Sequence, residues 1–189
     1  MSDVQPEQIT LPHVHMKPRV PPPRPARDSD AILQRVAQQL CVQLGFPVPE
    51  EEETARAGGD CEYADILNVL IHAMPDLDGY ALARDLESDH YWEIDADTVS
   101  TLDNAHYLHH REHDKQVQAW VTNYELEPKY ARDTQCTVVR HGKRYHGTIV
   151  NVDAKTLIYT VKVPEPIHAT NSGDFQTIGW CVPEEEITL

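Results

Sequence analysis

Apolar side chains recur at spacings of three and four through Ile32, Leu33, Val36, Leu40 and Leu44, the rhythm of one helical face. Asp28, Ser29 or Asp30 can cap that segment and Gly45 can stop it, so the pattern predicts a helix over 30–44. Tyr63, Ile66, Leu67, Leu70, Ile71 and Met74 predict a second helix over 61–74, capped near Asp60 and stopped by Pro75. Its centre, ILNVLI, is branched enough to pass for a strand; the cap and the length favour helix. Leu82 and Leu86, with Tyr80 nearby, predict a short third helix over 79–87, and HYWEI at 90–94 reads as a brief strand or an aromatic turn. The longest predicted helix runs from Thr98 to Thr122, with Asp97 as its N-cap and Asp95 just ahead of it. On its wheel Val99, Leu102, Val117 and Trp120 share the core-facing stripe with His106, His109 and His113, and His110 borders that stripe.

From 136 the period falls to two. CTVV, HGTIVNV, LIYTVKV, FQTIGWCV and EITL read as strands, with His141-Gly142-Lys143 and Asp153-Ala154-Lys155 as turns. The fold class expected is therefore α+β: a helical N-terminal and middle domain followed by a small β module. Gly147-Thr148-Ile149-Val150, Tyr159-Thr160-Val161 and the closing stretch from Trp180 to Glu185 resemble small SH3-like β-barrels, the group of chromo-, Tudor- and KOW-type modules. That resemblance implies a fold and leaves function open, because such barrels take peptides, proline-rich tails or RNA.

Three segments follow: a disordered proline-rich arm over 1–27, an acidic helical domain over 28–131 and a small β-barrel-like domain over 132–189. KPRVPPPRPAR has too few apolar groups to build a core, and its prolines favour polyproline II. Arg19, Pro22 and Pro25 also have the spacing of a ligand for an aromatic-lined groove, although a plain linker explains them as well. PVPEEEE and the Gly58-Gly59 pair make the stretch from Phe46 to Asp60 an exposed loop.

Charge sharpens this division. The chain carries a net charge of −15. Residues 28–131 hold 22 acids against 6 bases, whereas 132–189 hold 7 against 6. Such a surface repels phosphate backbones and attracts basic partners. The acids expected to carry it are Glu50, Glu51, Glu52, Glu53, Asp89, Glu93, Asp95 and Asp97. Arg140, Lys143 and Arg144 form a compact basic patch in the β module, flanked by Tyr145 and Tyr159 as stacking partners for nucleic acid.

The run His106, His109, His110 and His113 is the most suggestive feature for a metal, since imidazoles at i and i+4 can share one transition metal. It lacks the glutamate of H-E-x-x-H, and hydrogen bonds from half-buried histidines to nearby acids account for it equally well. No cofactor other than such a metal is implied. Ser29, Ser88, Ser100 and Ser172 lack a G-x-S-x-G setting, and Gly58-Gly59 lacks the pattern of a phosphate loop. Cys41 and Cys181 read as buried thiols. No apolar run reaches the roughly 18 residues of a span, and the N-terminus has no secretory pattern, so a cytoplasmic location is expected.

A non-enzymatic interaction protein (adaptor, regulator or inhibitor) that meets a basic protein surface with its acidic helices is the leading expectation. Three alternatives remain open at this stage. They are a nucleic-acid mimic that inhibits a DNA- or RNA-binding protein, a metal-dependent enzyme built on the histidines, and a nucleic-acid binder working through the β module.

Overall fold

A computed structural model describes residues 20–48, 61–74, 77–140, 142–166 and 175–189, without the side chains of 164–166 and 175–178. The chain is α+β. Its described helices are α1 (Asp30–Leu44), α2 (Glu62–Ala73), α3 (Gly79–His90), α4 (Ala96–Leu102) and α5 (Asn104–Tyr124). They precede strands β1 (Gln135–Arg140), β2 (Lys143–Asp153), β3 (Ile158–Pro166), β4 (Phe175–Pro183) and the two-residue β5 (Ile187–Thr188).

The α1 prediction holds to the residue, and Gly45 ends the helix in the left-handed conformation. Its apolar face meets α2, α4 and α5 around a core of Val36, Leu40, Ile66, Leu70, Leu86 and Leu102. Met74 closes α2 in an extended conformation, as the residue before a proline must.

The long helix expected over 98–122 is two helices. Asp95, rather than Asp97, is the cap of the first and accepts from the Thr98 N–H at 2.7 Å. The joint is Asp103, where the first residue of α3, Gly79, packs against it; a Cβ on Gly79 would lie 2.5 Å from Asp103 N and 2.7 Å from its Cα. The stripe of α5 is therefore reset: Ala105, Leu108, His109, Glu112, His113, Val117 and Val121 are buried, while His106 is exposed. It also changes partner along its length. Gln39 of α1 donates to Glu112 at 3.0 Å, whereas Val117 and Val121 pack on Leu157 in the β2–β3 turn.

The sheet is antiparallel with order β4-β3-β2-β1-β5. It is open: β4 and β5 are its two edges, so closure into a barrel is not seen among the described residues. Val138, Ile149, Tyr159, Val161, Val163 and Val182 form its own core. Period-two alternation accounts for one correction. Val182 faces that core, so its neighbour Cys181 points away and is exposed, unlike the buried Cys41.

The described part of the proline-rich arm, 20–27, lies along α5. Trp120 Nε1 donates to the Pro22 carbonyl at 3.0 Å. His113 Nε2 meets the Pro25 carbonyl at 3.2 Å and His109 Nε2 meets the Arg27 carbonyl at 2.7 Å. Across the junction the Arg24 guanidinium donates to the Thr156 carbonyl and pairs with Glu185 at 3.6 Å.

Candidate functional site

The acids divide by position. Glu50, Glu51, Glu52 and Glu53 lie outside the described residues. Asp89 lies in the last turn of α3, Glu93 and Asp95 stand in the irregular stretch 91–95, and Asp97 lies in the first turn of α4; all four are exposed. Asp78, Glu87 and Asp103 are exposed beside them in sequence, and the one base between 77 and 104, Arg84, already contacts Asp85 at 3.2 Å. Asp95 titrates below its ordinary value because its carboxylate accepts the Thr98 N–H, so it stays charged across the physiological range.

Tyr91 stands in the middle of this stretch. It is 88% exposed and takes a positive φ of 58° while capping α3. A non-glycine residue in that conformation costs about 1–2 kcal/mol, and no burial offsets it here. Trp92 behaves differently: it packs on Phe46 with ring centroids 5.1 Å apart and donates to Asp65 at 2.9 Å. Asp65 also holds His90 Nδ1 at 2.7 Å.

The four histidines do not converge. His109 and His113 are buried and direct their Nε2 atoms to the carbonyls of Arg27 and Pro25, so those nitrogens carry protons and cannot donate lone pairs to a metal. His106 and His110 face each other with Nε2 atoms 3.1 Å apart on the open side of the helix. No group of three or more His, Cys, Asp or Glu side chains that could hold a metal ion occurs among the described residues. Burial lowers the titration of His110 and His113, and Arg27 reinforces both shifts.

The basic patch is split by the pleat. Arg140 pairs with Lys143 and Val139 with Arg144, so Arg140 and Lys143 share the face of Val138 while Arg144 lies on the opposite one. Arg140 stacks over Trp180 at 5.2 Å, and Tyr145 packs edge-on against the same ring at 4.7 Å. Tyr159 is fully buried and donates to the buried Glu184 at 2.8 Å, so it cannot stack on a base.

Two cavities open where the arm, α5 and the sheet meet. One, of about 520 Å³, lies among Pro21, Pro22, Trp120, Leu126, Leu157 and Glu184. The other, of about 370 Å³, is lined by Arg24, Arg27, His113 and Arg140 together with Ile158, Cys181 and Glu186. Sequence reasoning missed both. It assigned Arg24 and Arg27 to a free tail, and no local pattern joins them to Arg140 more than a hundred positions away; a regular run of carbonyls opposite helix donors has no sequence signature either.

No protein-family model matches the chain, and no curated protein or solved structure matches it. No helix among the described residues is long and apolar enough to cross a membrane. The functional reading therefore rests on the chain's own surfaces.

Proposed function

We propose that this is a non-enzymatic interaction protein, an adaptor, regulator or inhibitor, whose acidic helical surface over 78–103 receives a protein with a basic face. The observation that carries this reading is Tyr91. An aromatic ring held in the open, in a backbone conformation that favours glycine and among acids with a single paired base, has no role in the core. Tyrosine is a preferred anchor at interfaces because its ring gives large contact area with few rotors to freeze. The surrounding carboxylates would steer a cationic partner and fix its orientation. The β module, read as an SH3-like unit, supplies a second face.

Imitation of a nucleic-acid backbone is a special case of this reading, in which the basic face belongs to a DNA- or RNA-binding protein. The free thiols of Cys41, Cys61, Cys136 and Cys181 support a reducing, cytoplasmic setting.

The test is affinity capture at low salt with the full chain and with a variant carrying Asp89→Asn, Glu93→Gln, Asp95→Asn and Asp97→Asn. Asparagine keeps the Asp95 cap, so the fold is preserved while four charges go. A basic partner should be held by the first protein and released by the second. Equal retention by both would refute the proposal. Competition of the captured partner by duplex DNA or RNA identifies the mimicry case.

A further inference from the structure

The smaller cavity is electrically out of place. In a chain of net charge −15, its lining residues bring three guanidiniums, Arg24, Arg27 and Arg140, against one carboxylate, Glu186. Arg24 comes from the arm and is 13% exposed; its second contact, Glu185, touches it from the neighbouring cavity at 3.6 Å, beyond hydrogen-bond length. Its Nη1 atom is buried with no hydrogen-bond partner. Arg27 and Arg140 have no carboxylate partner among the described residues. A buried guanidinium nitrogen left without an acceptor costs energy, and the exposed guanidiniums of Arg27 and Arg140 at the mouth leave the cavity cationic.

From this we infer that the cavity is a binding site for a small phosphate-bearing molecule, held by Arg24, Arg27 and Arg140. Guanidinium forks match phosphate oxygens two at a time and stay charged at every physiological pH. A volume of about 370 Å³ lies at the small end of ligand pockets, suited to a phosphate monoester or a diphosphate. Ile158 offers an apolar wall for the organic part, and Glu186 an acceptor for a hydroxyl. The occupant would touch the arm and β1 at once, and so would clamp the arm to the sheet. His113, whose Nε2 already serves Pro25, helps to shape the wall without contributing a lone donor.

The experiment is isothermal titration of the full chain with inorganic phosphate, pyrophosphate and glycerol phosphate, with chloride at matched ionic strength as the control. Arg27→Gln and Arg140→Gln are the informative variants, because both side chains are exposed and neither carries the core. Arg144→Gln, on the opposite face of the hairpin, controls for diffuse charge. Saturable one-to-one binding is expected, weakened about tenfold or more by Arg27→Gln and by Arg140→Gln and little changed by Arg144→Gln. Heat no different from the chloride control would overturn the inference. So would equal weakening by all three variants, or binding of a phosphopeptide or nucleic acid with no response to the small phosphates.

Discussion

His113 makes one residue a pH sensor for the whole junction. Its imidazole titrates below the ordinary 6.5, first because burial disfavours the cation and then because Arg27 and Arg24 face it; the Pro25 carbonyl and Asp114 pull the other way and lose. Above about pH 6.5 the ring is neutral in both folded and unfolded chains, and its contribution is complete. Below that the unfolded chain takes a proton that the folded one refuses, so stability falls as pH drops toward the folded value, at up to about 1.4 kcal/mol per pH unit. His110 acts in the same direction. Burial raises Glu112 and Glu184, but their hydrogen bonds from lysine and neighbouring donors outweigh it and leave both below 4.5, so their losses begin only in stronger acid. Urea unfolding at about pH 7.5 and 5.5 should show a marked loss in the natural chain and a smaller one in His113→Gln; identical losses would disprove the assignment. Tyr91 gives the complementary case, in which function and stability diverge. Tyr91→Gly should stabilise the chain by about 1 kcal/mol in thermal unfolding, by relieving the left-handed conformation, while weakening capture of the basic partner.

Among the elements, the joint between α4 and α5 is the most constrained, and Gly79 is the residue that permits it. Alanine is the better helix former by about 1 kcal/mol, yet its methyl would meet the backbone of Asp103 at 2.5–2.7 Å. Backbone cannot swing aside as a side chain can, and overpacking of this kind costs about 1–3 kcal/mol or more. Gly79→Ala should therefore lower the unfolding midpoint, while Ala81→Gly on the same helix costs only its propensity; a neutral Gly79→Ala would show that the joint is loose. This joint also marks the limit of what the sequence discloses. Periodicity gave α1, α2 and the strands themselves, because each buries one continuous face. It read 98–122 as a single helix because Leu102 and Trp120 happen to fall on one stripe, and nothing local records that Gly79 presses on Asp103. The same blindness moved His106 into the core and gathered Arg140, Lys143 and Arg144 into one patch that the pleat divides. Asp89, Glu93, Asp95 and Asp97 were legible as exposed acids because exposure needs no partner. The arginine cavity was not, since its walls come from the arm, α5, three strands and the turn after β4.

At the scale of the molecule, the two proposed surfaces have opposite signs, and salt acts in opposite directions on the chain's stability and on its binding. The described ion pairs are few and mostly local, such as Arg84–Asp85 at 3.2 Å and Lys115–Glu112 at 2.6 Å, and exposed pairs contribute little. With 31 acids against 16 bases, the net long-range term in the folded chain is repulsion among carboxylates, which compactness makes worse. At an ionic strength of about 0.1 M charges more than about 10 Å apart are screened from one another. Raising sodium chloride from about 0.02 to 0.2 M should therefore raise the thermal midpoint of the isolated chain. The same change should weaken the complex with a basic partner, because there screening removes attraction. Steering is lost first, so the fall should appear mainly in the association rate. Measuring both quantities in one salt series separates the causes: a midpoint that falls with salt would mean that the acids are held by internal attractions, and an association rate indifferent to salt would mean that Tyr91 and its neighbours dock without help from the charges around them.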